Sequence, residues 1–262
     1  SRYTTRATHT AQPAGTDRPP GERTHADPWS SYESNTGTRE SNAPAHRQVL
    51  RRLRPFCQRW RVLGIVIDPH AVMEFWFGEL SDGKISKAQK KLWFSISADF
   101  DARCKDAFAG AYADLSQFNW RHDENACLAY ILLTDQLPRN IFRGTKEAFA
   151  WDQLAVNAAR DGIASGFDTR LNLDQRTFFY MPFEHSETRL NQYTAVGLFA
   201  SLRDHAPAER KSEMGNSLRV AQKHRDIILR FGRFPYRNSV LGRTSTEAEL
   251  VFISQSEGFG QS

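Results

Sequence analysis

Three polar segments hold the residue types that proton exchange and anion binding need. In Met181-Pro-Phe-Glu-His-Ser-Glu187, two carboxyl groups flank an imidazole within four residues. Histidine titrates near neutral pH, so His185 can act as acid, base or ligand, with Glu184 beside it. Glu and His at helical spacing share a face, as in carboxylate–metal bundles. A metal-assisted hydrolase using Glu184, His185 and Glu187 is therefore one alternative. Acids in the first turn of a helix also simply complement its dipole, and this segment reads as a helix start. There is no HExxH signature, and no residue is assigned as a metal ligand.

The second segment is Asp135–Arg143. Asp135 lies at the C-terminal end of an apolar helical stretch, where the dipole disfavours a negative charge. Such a carboxylate needs a cation, and Arg139 and Arg143 are close enough in sequence to supply one. A structural ion pair pinning the corner is the competing reading. The third segment runs from His224 to Arg243. His224 shares a helix face with Val220, Ile227, Ile228 and Phe231, a setting that usually means a core histidine. Arg230, Arg233, Arg237 and Arg243 then fall within fourteen residues, among Gly232, Pro235, Asn238 and Gly242. Guanidinium groups on a tight loop can hold carboxylate or phosphate bidentately, although Arg near a helix end also caps carbonyls.

Helices must position these residues. Asp68-Pro69 is a helix start opening Ala71–Phe77, closed by Gly78. Helical spacing predicts further helices over Ala98–Leu115, Asn125–Gln136 and Lys146–Ser165, the last capped by Thr145 and stopped at Gly166. Others follow at Ser186–Arg203, Ser217–Arg230 and Glu247–Gln255, where Thr246 and Glu249 form a capping box. Period-2 runs are few and βαβ alternation is absent, so the fold class is all-α, built from antiparallel helical hairpins. Asp135–Thr145 faintly echoes Gly232–Thr244, each with Pro, then Arg-Asn, then Gly and Arg before Thr. The aromatic residues, Phe75, Trp76, Phe77, Trp93, Phe94, Trp120, Trp151, Phe178 and Phe179 among them, read mainly as core.

The chain of 262 residues carries a formal net charge of +5. Residues 1–60 account for all of it, with ten Arg against five acids. This basic extension, rich in Thr, Ser, Pro and Gly, reads as disordered up to about residue 45, with a short basic-apolar helix within 46–67. Organelle transit peptides share its Arg- and Ser/Thr-rich character, but its five acids argue against that use. Residues 61–262 read as a single all-helical domain with balanced charge, which excludes the basic face of a nucleic-acid binder. No apolar run approaches the roughly 18 residues of a membrane span. Cys57, Cys104 and Cys127 form no CxxC pair, which fits a reducing, cytoplasmic setting. Phosphate-binding loops and nucleophile elbows are absent, and no cofactor is called for.

Five motifs carry a resemblance: Glu74-Phe-Trp-Phe-Gly78, Leu133–Thr145, Met181–Glu187, Arg230–Thr244 and Phe259-Gly-Gln261. Together, and in this order, they resemble the domain-of-unknown-function 924 family over about residues 66–262. That resemblance implies an all-α fold of the tetratricopeptide-repeat-like superhelical kind, and it implies no reaction. Tyr236 stands where the family usually has His, and Thr134 where it usually has Leu. Taken together, the segments predict a polar pocket for a small anionic ligand. Asp135, Arg139, Asn140, Arg143, Glu187, Arg233, Arg237, Asn238 and Arg243 would bind it, and Glu184, His185 and His224 would supply acid–base chemistry. The alternative from another class is a tetratricopeptide-like scaffold that binds peptides in a groove.

Overall fold

Asp68 and Pro69 open the first helix as their residue types dictate. In the computed structural model, which describes residues 67–78, 85–93 and 96–255, the Asp68 carboxylate accepts the Ala71 N–H at 2.8 Å. Helix α1 (Pro69–Phe77) ends at Gly78, whose φ of 69° is easy for a residue without Cβ. Helix α2 (Lys87–Trp93) has too short a pattern to be read from sequence. Helix α3 (Ala98–Phe108) is shorter than its spacing predicts. Two 3₁₀ turns, Ala109–Ala113 and Leu115–Gln117, replace its expected end. Between them the Asp114 carboxylate takes the Ser116 N–H at 3.0 Å, offering the backbone an alternative to the helix.

The middle of the molecule is one long buried helical run. It comprises α4 (Glu124–Ile131), a π-helical turn over Leu132–Gln136 and α5 (Leu137–Ile141). Every residue from Ala126 to Arg139 is buried. The expected break at Pro138 does not occur. Proline has no N–H for the Leu133 carbonyl, five residues back in the π register, and the Tyr112 hydroxyl donates to that oxygen instead at 2.8 Å. The neighbouring carbonyls of Asp135 and Gln136 accept from the Arg139 guanidinium at 2.6 Å and the Asn140 amide at 3.0 Å. Buried backbone polarity is thus satisfied by side chains.

After a 3₁₀ turn at Lys146–Phe149, α6 (Asp152–Ala164) begins later than expected. Thr145 does not cap it, because its hydroxyl donates to Phe142 O at 2.8 Å. Helix α7 (Leu173–His185) corrects the sequence reading most. Its faces are apolar all round, with Phe178, Phe179, Tyr180 and Phe183 buried, so no stripe marks it. Its capping box, Asn172 with Gln175, was the readable signal. Glu184 and His185 therefore end a helix rather than begin one. Helices α8 (Arg189–Asp204), α9 (Lys211–Phe231) and α10 (Glu247–Gln255) complete the described chain.

Helices α1, α6 and α7 pack on α4, and α8 packs between α7 and α9. Aromatic side chains fill the space between α1, α2 and α7: Trp93 meets Phe178 edge-on at 4.7 Å, and Trp76 meets it at 5.5 Å. At Gly162 an added Cβ would lie 2.6 Å from Phe179 and 2.9 Å from Cys127, so only glycine lets α6 come this close to α4 and α7. Cys104 and Cys127 are unbridged, and burial pushes both thiols up to about 12, which makes them inert packing groups. Among the described residues no strand forms, and no helix is long and apolar enough to cross a membrane. The expected extension, the short helix within 46–67, Cys57, Phe94 and Phe259–Gln261 lie outside the described residues.

Candidate functional site

Asp135 sits on the π turn, where the widened helix directs a fully buried carboxylate toward the last turn of α7. There His185 donates from Nδ1 at 2.8 Å to Oδ1 and 3.0 Å to Oδ2. A carboxylate can only accept, so the neutral ring carries its proton on Nδ1 and leaves Nε2 as a base. Burial works to raise the Asp135 carboxyl, but Arg139 and His185 beside it, with a hydrogen bond from Gln136, hold it down at about 2. Burial lowers His185 below the usual imidazole range, and the Asp135 charge opposes this in part.

Arg139 links this pair to a second acid. Its Nη1 lies 3.1 Å from Asp135 Oδ1, and its two terminal nitrogens clasp Asp152 at 2.8 and 2.9 Å. Asp152, at the start of α6, also meets Arg237 Nη1 at 3.4 Å. Arg237 lies 4.5 Å from the ring centres of both Phe149 and Phe234, a cation stacked between two aromatic faces. It is 5% exposed, and its Nε has no hydrogen-bond partner among the described residues. Asn238 Oδ1 is buried beside it in the same condition.

A neutral pair borders the cluster. Glu184 Oε1 approaches His224 Nδ1 at 3.1 Å, and that nitrogen also faces the Val220 carbonyl at 3.0 Å. Burial, reinforced by the Asp135 charge, pushes the Glu184 carboxyl up to about 8. Burial pushes His224 down to about 3, so at pH 7 the contact joins uncharged groups. The His185 and His224 rings lie 6.3 Å apart. Tyr236 is buried here too, its hydroxyl raised to about 12, and it hydrogen-bonds Arg237.

The structure brings together Asp135, Arg139, Glu184, His185, His224, Arg237 and Asn238, with Glu187 near enough for the Arg237 charge to help hold its carboxyl below the usual range, and turns the other expected ligands to partners of their own. Arg143 clasps Asp101 at 2.7 and 2.9 Å and reaches Asn140 at 3.1 Å. Arg233 clasps Glu249 at 2.7 and 2.8 Å. Arg243 clasps Glu187 at 2.8 and 3.0 Å, and Glu187 also accepts the Phe234 N–H. Glu184, His185 and Glu187 turn to three separate partners rather than to one point. Among the described residues no group of three His, Cys, Asp or Glu is placed to hold a metal ion.

Sequence reasoning missed Asp152, Phe149 and Phe234. Asp152 begins a helix whose start was misplaced, and no spacing rule ties it to Arg139 and Arg237. The faint internal echo does have a counterpart: its two Pro-linked arginines, Arg139 and Arg237, meet on this one aspartate.

A family model described as "Bacterial protein of unknown function (DUF924)" matches residues 72–257. A solved structure, of the protein of unknown function ATU0120 from Agrobacterium tumefaciens, is 34% identical to this chain. The match covers 72% of this chain and 97% of that one, with a TM-score of 0.60. No curated protein matches. With most of its length matched by the family model, the chain belongs to the DUF924 family.

Proposed function

We propose that the chain binds a small anionic ligand at Arg237, and that His185 exchanges a proton with it through Nε2. The observation that carries this reading is the state of Arg237. A buried guanidinium normally spends its donors on carboxylates or carbonyls. Arg139, Arg143, Arg233 and Arg243 all do so, whereas Arg237 has a long 3.4 Å contact to Asp152, a hydrogen bond with Tyr236 and an unpartnered Nε. Arg243 Nε is also unpartnered, but its two terminal nitrogens clasp Glu187. A carboxylate or phosphate oxygen would satisfy the Arg237 donor, with Asn238 close by and Phe149 and Phe234 fixing the guanidinium plane. The Asp135–His185 pair is built as a general base: the carboxylate fixes the ring and its tautomer, and the free nitrogen accepts a proton.

Calorimetric titration with inorganic phosphate and with acetate tests the binding. The Arg237→Met variant is expected to lose at least tenfold in affinity while its melting behaviour stays cooperative. Repeating the titration in two buffers of different ionisation heat reads the proton exchanged. That proton should vanish in His185→Gln. Equal binding by the unsubstituted chain and Arg237→Met would remove the site from consideration.

A further inference from the structure

On the far side of Glu184 lies a cavity of about 280 Å³ between α2, α7, α8 and α9. Its walls are mostly apolar, with Trp93, Phe178, Met181, Phe199, Met214 and Val220, and Thr177, Asn216 and Ser217 add polar groups. Its charged residues are Lys90, Asp174, Glu213 and Glu184. Lys90 bonds Asp174 at 2.9 Å and Glu213 at 2.8 Å, and Arg210 bonds the same two acids at 2.7 Å each. Two cations thus balance two carboxylates. Glu184 is left as the uncompensated acid of the lining, 4% exposed. Among the described residues, the polar atom its carboxyl meets is His224 Nδ1, which the Val220 carbonyl also engages.

We propose that this cavity binds a small apolar primary amine, with its hydrocarbon part against Phe178, Phe199 and the two methionines and its ammonium group on Glu184. A buried carboxyl group beside a largely apolar cavity is stable there as the neutral acid or beside a cation. An ammonium group supplies that cation. A carboxylate ligand would instead set two acids against each other. The volume is just below the about 300 Å³ at the lower end of ligand pockets, so the ligand is of metabolite size rather than drug size. This site does not depend on the anion site at Arg237.

The methionines provide a local readout. Of the three in the chain, Met181 and Met214 line the cavity and Met73 lies outside it. With methyl-labelled methionine, n-hexylamine should shift the Met181 and Met214 signals and leave Met73 in place. Hexylamine should bind at least tenfold more tightly than 1-hexanol, and hexanoate should not bind. In Glu184→Gln the preference for amine over alcohol should disappear while 1-hexanol still binds, which shows that the cavity is intact. In Arg237→Met hexylamine binding should be unchanged. The proposal is overturned if 1-hexanol binds as well as hexylamine, if neither moves the two methionines, or if Glu184→Gln retains the preference.

Discussion

Asp135 and Glu184 are both buried carboxyl groups next to a histidine, yet they titrate in opposite directions. The difference is the company of cations. Asp135 has Arg139 and a donating His185, whereas Glu184 has a neutral His224 and the negative field of Asp135 itself. Their contributions to stability follow with opposite signs. Asp135, depressed to about 2, stabilises the fold above its unfolded value and loses that contribution as pH falls toward 2. Glu184, raised to about 8, stabilises the fold below its unfolded value near 4.5 and loses that contribution as pH rises through 8. His224, held neutral down to about 3, makes stability rise with pH between about 3 and 6.5 and so opposes Glu184 over part of this range. His185 is lowered as well and acts in the same sense as His224. With two histidines acting against one carboxyl, melting temperature should therefore rise gently toward about pH 6.5 and fall from there to pH 8. Melts of Glu184→Gln should lack the fall above pH 6.5; if that fall persists, Glu184 is not its source.

At the scale of elements, the π turn and the Gly162 contact are the two places where local rules give way to packing. The π turn exists because Tyr112, Arg139 and Asn140 take carbonyls that the helix no longer serves. Tyr112→Phe strands the Leu133 carbonyl in the core, which should cost about 1–3 kcal/mol. Urea denaturation should show that loss as a lower midpoint with an unchanged slope. Gly162→Ala forces a methyl group against Phe179 and Cys127 and should cost about 1–3 kcal/mol through overpacking. The usual helical gain from glycine to alanine, about 1 kcal/mol, is too small to reverse it. A more stable Gly162→Ala protein would show that α6 can move off its neighbours at little cost.

Across the whole molecule, ionic contacts join segments far apart in sequence, and their value depends on burial. Asp152 ties the corner after the π turn to the 235–237 turn by holding both Arg139 and Arg237. Asp152→Ala leaves the buried Arg237 without its ion pair and Arg139 with Asp135 alone, which should cost about 3–5 kcal/mol. Arg143 and Asp101 form a single pair, each about a fifth exposed, so Arg143→Met should cost less, about 1–3 kcal/mol. Comparing the two variants by chemical denaturation checks that order. Equal losses would mean that the Asp152 centre is not the principal joint.

The amino-acid sequence alone determined the all-helical class, the family and several helix starts, because these rest on local signals. Asp68-Pro69, the Thr246–Glu249 capping box and the apolar run before Asp135 act within a few residues of chain. It also singled out Asp135, Arg139, Glu184, His185, His224 and Arg237, since charged groups amid apolar neighbours need a reason to be there. It missed α7, because a helix buried on every side shows no periodic stripe. Only the tertiary structure decided which arginines share an acid and which hold one alone. Pairing energy depends on distance and on exclusion of water, and both are settled when α6 brings Asp152 between two corners 98 residues apart. The cavity behind Glu184 is likewise a product of four helices, and no one segment of the chain encodes it.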